Sequence, residues 1–117
     1  VAVLGLGGGG VTSFISRHAP KVELEGVESL PEVAALAESC FGLREPEEKA
    51  GGARVRVEVG DAAGFLARAT PGSYAAVVVD VYTSGAYPDS CGTRGFFESA
   101  RAALGPGGLL AVNAGDE

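Results

Sequence analysis

Five of the six residues from Gly5 to Gly10 are glycine, and they follow directly on the almost wholly apolar run Val1 to Leu6. A short run of that kind reads as a strand buried on both faces, and the glycines read as a tight turn at its end. Val11, Phe14 and Ile15 then fall at roughly helical spacing, with His18 beyond them, before Pro20 stops the run. A strand, a glycine loop and a helix in this order bring bare backbone and the free N–H groups of a helix's first turn to one place, where a negative group can bind.

The rest of the chain repeats the alternation. Lys21 to Glu28 reads as a second strand, and Pro31 opens a helix with the stripe Val33, Leu36, Ala37 and Phe41, closed by Gly42. Arg44 to Ala53 reads as a surface excursion, its Glu45 to Lys49 charge run a solvated turn. Arg54 to Val59 alternates valine with charge, as an edge strand does. Ala62 to Arg68 is predicted helical, Tyr74 to Asp80 a buried valine-rich strand, Thr83 to Thr93 a long loop, and Arg94 to about Leu104 a helix. The Gly105-Pro106-Gly107-Gly108 segment is predicted to turn before a last strand, Leu109 to Asn113. Five strands alternating with four helices imply an α/β fold: a Rossmann-like, doubly wound parallel sheet of order 3-2-1-4-5.

In an open parallel sheet the ligand sits beyond the carboxyl ends of the strands where strand order reverses, here between the first and fourth strands. Four segments end there: Gly5 to Gly10, Glu28, Gly60-Asp61 and Asp80 with its loop. The glycine loop fits both G-x-G-x-G and the dinucleotide fingerprint G-x-G-x-x-G, so by itself it permits a nicotinamide-dependent dehydrogenase. Glu28 stands where a carboxylate accepts hydrogen bonds from both ribose hydroxyls. Asp61 is placed to hold the exocyclic amine of an adenine, and Asp80 faces the reaction centre.

The strings VLGLGGGG, GVESLPEVAALAESCFGL, VEVGDAAGFL, YAAVVVDVYTSG and TRGFFESARAALGPGGLLAVN resemble the class I S-adenosylmethionine-dependent methyltransferases, within them the spermidine synthase-like branch, over essentially all 117 residues. The resemblance implies that Gly5, Gly7, Gly8 and Gly9 lie against the methionine part of the cofactor, that Glu28 binds the ribose, and that Asp61 with Ala62 binds the adenine. It implies that Asp80 stands beside the sulfonium, where it either orients the acceptor or takes its proton as the catalytic residue, with Tyr82 and Thr83 on the acceptor side. Spermidine synthases look like G-G-G-D-G in the loop and D-x-x-D after the fourth strand. This chain has Gly7-Gly8-Gly9-Gly10-Val11 and Asp80-Val81-Tyr82-Thr83, so the second acid is replaced by Thr83. The first reading is therefore methyl transfer from S-adenosylmethionine to a small-molecule or protein acceptor. The alternatives are aminopropyl transfer from decarboxylated S-adenosylmethionine and a catalytically silent cofactor-binding domain. The whole chain, 1–117, reads as one such core cut from a longer protein, stopping before the customary sixth and seventh strands, and a homodimer of that protein is expected.

Composition narrows the partners. Nine Lys and Arg against fifteen Asp and Glu give a net charge of −6, which repels a phosphate backbone, so nucleic acid is not expected. No apolar run approaches the roughly 18 residues of a membrane span. Two cysteines and one histidine make neither a zinc set nor a disulfide framework, so a reducing, cytoplasmic setting is expected. Cys40 reads as a small core residue and Cys91 as an exposed loop residue. His18 reads as a surface cation suited to a helix C-terminus. Tyr82 and Tyr87 either line a substrate pocket or pack the loop.

Overall fold

Strand β1 (Ala2–Leu4) has all three residues fully buried and lies between two parallel neighbours, β2 (Leu24–Glu28) and β4 (Tyr74–Val79). A strand walled in on both sides and both faces must be apolar throughout, which is why its sequence does not alternate. β3 (Val55–Val59) continues the sheet beyond β2 and β5 (Leu104–Val112) beyond β4, giving a five-stranded parallel sheet of order 3-2-1-4-5. The computed structural model describes residues 1–41 and 55–115, without the Phe41 side chain. The predicted helix end at Gly42, the 44–53 excursion and Arg54 lie outside the described residues.

Among the described residues four helices, α1 (Gly10–His18), α2 (Pro31–Phe41), α3 (Ala62–Arg68) and α4 (Arg94–Ala103), lie in the crossovers, and a 3-10 turn, Asp89–Cys91, precedes the last. The larger core joins Leu4, Val77 and Val79 of the sheet to Phe65 and Leu66 of α3 and Phe96 and Ala100 of α4. A smaller cluster joins Leu6 and Ala37 to Val55 and Val57. Asp61 caps α3 by accepting from the Gly64 N–H at 2.8 Å, and Thr93 caps α4 by accepting from the Phe96 N–H at 3.1 Å.

Four local expectations are corrected. In α1 it is Thr12 that is fully buried, its hydroxyl donating to the Gly9 carbonyl at 2.9 Å, while Phe14 is 62% exposed and stacks on His18. A hydroxyl with a partner can be buried, so apolarity alone misplaced the inward face. In α2 the residues against the sheet are Ala34 and Ala37, small enough for close approach, and Leu36 points outward at 54% exposure. Cys40 follows Leu36 to the exposed side, whereas Cys91 in the 3-10 turn is buried in the larger core, reversing both cysteine expectations. In β5 the glycine-proline segment lies inside the strand. Tyr74 pairs with Leu104 and Ala76 with Leu109, so β4 advances two residues while β5 advances five, and the surplus is taken up as a bulge.

Candidate functional site

The carboxyl ends of β1, β2 and β4 and the residues just after β3 enclose a crevice of about 490 Å³, within the usual range for a small-molecule site. Gly5, Gly7, Glu28, Asp61, Ala62, Asp80, Tyr82 and Thr83, eight of the ten residues singled out from the sequence, line it. Gly8 and Gly9 are not among the lining residues. Gly9 adopts φ 75° as the N-cap of α1, so it shapes the strand-to-helix turn.

The glycines of the loop have different work. At Gly5, with φ 87°, a Cβ would overlap the carbonyl of Asp80, so only glycine lets β1 and the end of β4 close together. Gly7, with φ 48°, has nothing within 4 Å of where a Cβ would stand, and its backbone faces the open crevice.

Glu28 holds this loop. It is 9% exposed; Oε2 accepts from the N–H groups of Leu6 at 3.1 Å and Gly7 at 3.3 Å, and Oε1 from the Leu30 N–H at 3.2 Å. A carboxylate offers about four lone-pair directions, so one remains for a ligand hydroxyl. Its carbonyl also accepts from the Gly60 N–H at 2.9 Å, which fixes the turn that carries Asp61. Asp61 spends Oδ2 on the α3 cap and is itself one of the residues lining the crevice.

Asp80 is tied on the other side. Its N–H donates to the Leu4 carbonyl at 2.8 Å, and its Oδ1 accepts from the side-chain amide of Asn113 at 2.9 Å. Tyr82 donates its hydroxyl to the Asn113 carbonyl at 3.2 Å, and Tyr87 donates to the Cys91 carbonyl at 3.1 Å, so both tyrosines pack the loop while Tyr82 also lines the crevice. Burial pushes the Tyr87 phenol up from its ordinary value, with the neighbouring Cys91 and Tyr82 adding to it. Thr83 and Ala86 form a two-residue antiparallel bridge around Ser84-Gly85, a tight exposed turn at the crevice mouth.

Sequence reasoning missed Cys91 and Leu30 as lining residues and Asn113 as the partner of Asp80. Leu30 is 55% exposed, yet it stands against the crevice, where an apolar wall suits a flat base. Its signal was its place two residues after a strand-end acid. The Cys91 thiol is pushed up, first by burial and then by Asp61, with the Ser90 hydroxyl opposing. No sequence signal brings residue 91 inward.

The lining is chemically one-sided. Glu28, Asp61 and Asp80 give it three carboxylates, and no Lys, Arg or His is present among the described lining residues. No group of three or more possible metal ligands lies close together among the described residues, and none of the described helices is long and apolar enough to cross a membrane.

No family model matches the chain. It is 33% identical over 119 aligned positions to spermidine synthase 1 of Hyoscyamus niger, covering 97% of this chain and 36% of that protein. Among solved structures, a probable spermidine synthase from Corynebacterium glutamicum superposes with a TM-score of 0.84 at 27% identity, covering all of this chain and 40% of that one. Human methyltransferase-like protein 13, solved in complex with SAH, superposes with a TM-score of 0.75 at 25% identity over 93% of this chain and 51% of that one. The chain thus spans little more than a third of the spermidine synthase it matches in sequence.

Proposed function

These residues belong to the spermidine synthase-like branch of the class I S-adenosylmethionine-dependent methyltransferase superfamily, and from that premise we propose that they form the donor site of an aminopropyltransferase that uses decarboxylated S-adenosylmethionine. The observation that carries this reading is the charge of the crevice: three carboxylates and, among the described lining residues, no cationic side chain. Decarboxylated S-adenosylmethionine brings a sulfonium and an ammonium and no carboxylate. S-adenosylmethionine would bring its own carboxylate beside Glu28, Asp61 and Asp80, with no cationic side chain among the described lining residues to answer it. An amine acceptor adds further positive charge, which the same carboxylates favour. Methyl transfer, the first reading of the sequence alone, thereby becomes the second.

The roles follow from position. Gly7 presents bare backbone to the donor, Glu28 offers its remaining lone pair to a ribose hydroxyl, and Asp61 and Leu30 stand where the adenine would lie. When bound, the donor supplies a carbon activated by its sulfonium. The acceptor's neutral amine nitrogen forms the new C–N bond with that carbon, the C–S bond breaks with its electron pair going to sulfur, and methylthioadenosine leaves as a neutral thioether. The nitrogen must shed a proton, and Asp80 is the group placed to orient the amine and take it. Alignment of this kind contributes on the order of 7 to 11 kcal/mol, against roughly two to four powers of ten in rate for a base.

Methyl transfer draws support from Thr83, which puts no acid three residues after Asp80 to hold the far amine of a diamine, and from the likeness to a methyltransferase solved with SAH. Product analysis separates the two. Folded protein given decarboxylated S-adenosylmethionine and putrescine is expected to yield methylthioadenosine and spermidine. Release of S-adenosylhomocysteine from S-adenosylmethionine, with no methylthioadenosine from any diamine tried, would overturn aminopropyl transfer in favour of methyl transfer.

A further inference from the structure

We propose that Asn113, the residue that follows β5, is the positioning residue for Asp80: its side-chain amide holds one carboxylate oxygen and leaves the other facing the crevice. A carboxylate only accepts, so the atom of Asn113 that meets Oδ1 at 2.9 Å is the amide nitrogen, acting as donor. The second oxygen of Asp80 has no hydrogen-bond partner among the described residues, and Asp80 lines the crevice while Asn113 does not.

Asn113 is itself held from two directions. Its N–H donates to the Val79 carbonyl at 2.8 Å, one residue beyond Val112, the register partner of Val79, and its carbonyl accepts from the Tyr82 hydroxyl at 3.2 Å. These two bonds fix the backbone from which the exposed Asn113 side chain reaches Asp80. An amide is also neutral. A Lys or Arg in its place would orient the carboxylate equally well but cancel the charge that a cationic donor and an amine acceptor require, whereas Asn113 orients Asp80 and leaves its charge intact. A restrained, charged acid serves a displacement reaction better than a rotating one, because alignment is the larger share of the barrier reduction.

The geometric claim stands on the hydrogen bonds alone; its consequence for turnover rests on the transferase reading above. The other ionisable groups along the crevice are Glu28 on β2, Asp61 at the start of α3, Cys91 in the 3-10 turn and Tyr82, while β1 and its loop bring none. All are kept in the variants below, so a change reports on residue 113.

The test follows the Asp80 carboxyl carbon by NMR through a pH titration, assigned against Asp80→Asn, in the unaltered protein, Asn113→Ala, Asn113→Asp and Asn113→Gln, with kcat and KM measured alongside. In Asn113→Asp a second carboxylate meets Asp80 in place of an amide donor, and the acid limb of kcat/KM is expected to move to higher pH. In Asn113→Ala, kcat is expected to fall about tenfold with donor KM within about twofold, and Asn113→Gln, which keeps an amide donor, should recover part of the loss. If Asn113→Asp does not fold, Asn113→Ala carries the test. An unchanged Asp80 titration and unchanged kcat in folded variants would overturn the proposal. A shifted titration with no turnover by the unaltered protein on any acceptor would sustain the positioning role and remove the transferase reading, so the two failures are distinguishable.

Discussion

Glu28 at the end of β2 and Asp80 at the end of β4 flank β1 on its two sides, yet they are held differently. Glu28 accepts three backbone N–H bonds and is nearly enclosed, whereas the Asp80 carboxylate is half-buried and takes one bond, from a side chain. The β2 side of the crevice is thus built from backbone, and its acid is part of the architecture. The β4 side is built from side chains, and its acid can be exchanged with little consequence for the fold. Chemistry that needs an adjustable group belongs on the second side, and binding that needs a fixed frame on the first.

The largest expected effect lies in the frame. Gly5→Ala forces a Cβ onto the Asp80 carbonyl at a positive φ, and urea unfolding should show a loss of about 3 kcal/mol, combining overpacking with left-handed strain. Gly7→Ala, strained but unobstructed, should lose only about 1 kcal/mol. Equal losses would erase the distinction between the two glycines.

Asp80→Asn should leave the unfolding midpoint where it is and cut transfer about one hundredfold, equivalent to about 2.7 kcal/mol, with donor affinity changed by no more than about 1 kcal/mol. Full activity in that variant would take Asp80 out of the mechanism.

Glu28→Ala leaves the buried Leu6 N–H and the part-buried Gly7 N–H without their acceptor. The structure therefore predicts a stability loss of about 2 kcal/mol together with a loss of donor affinity of similar size. This sharpens the comparison, since the acid of the frame should move both quantities and Asp80 only turnover. A pure affinity loss would show that the loop finds other acceptors.

A smaller contrast concerns the two thiols. Cys40 is exposed and Cys91 buried, with the Cys91 thiol pushed above its ordinary value, so a thiol reagent near pH 7.5 should label Cys40 at least about one hundredfold faster. Labelling of Cys91 should accelerate only at alkaline pH, where its thiolate forms, or on denaturation. Comparable rates at neutral pH would mean that the 3-10 turn opens readily and does not seal that end of the crevice.

The same contrast explains what could be read in advance. The strand order, the switch point and the acids at the strand ends are visible in the sequence, because a parallel sheet dictates continuous apolar strands and places its ligand at their carboxyl ends. The backbone-built side was legible as a pattern of glycines. The side-chain contacts were not: nothing in a linear reading brings Asn113 to Asp80, residues 33 positions apart that meet because β4 and β5 pair in register. Helix faces failed where a small or hydroxyl residue took the inward place of a large apolar one, as Thr12 and Ala34 show. The bulge in β5 was read as a turn because glycine and proline signal both, and only the pairing of Leu104 with Tyr74 distinguishes them.

A crevice whose charged side chains, among the described residues, are all acidic should select a donor without a carboxylate, and calorimetry reads that selection. Decarboxylated S-adenosylmethionine and S-adenosylmethionine should be titrated into the same folded protein at neutral pH and fixed salt. One site is expected for each, with the decarboxylated donor bound at least about tenfold more tightly, equivalent to about 1.4 kcal/mol. Tighter binding of S-adenosylmethionine would contradict the selection by charge, and no heat from either donor would contradict the site itself.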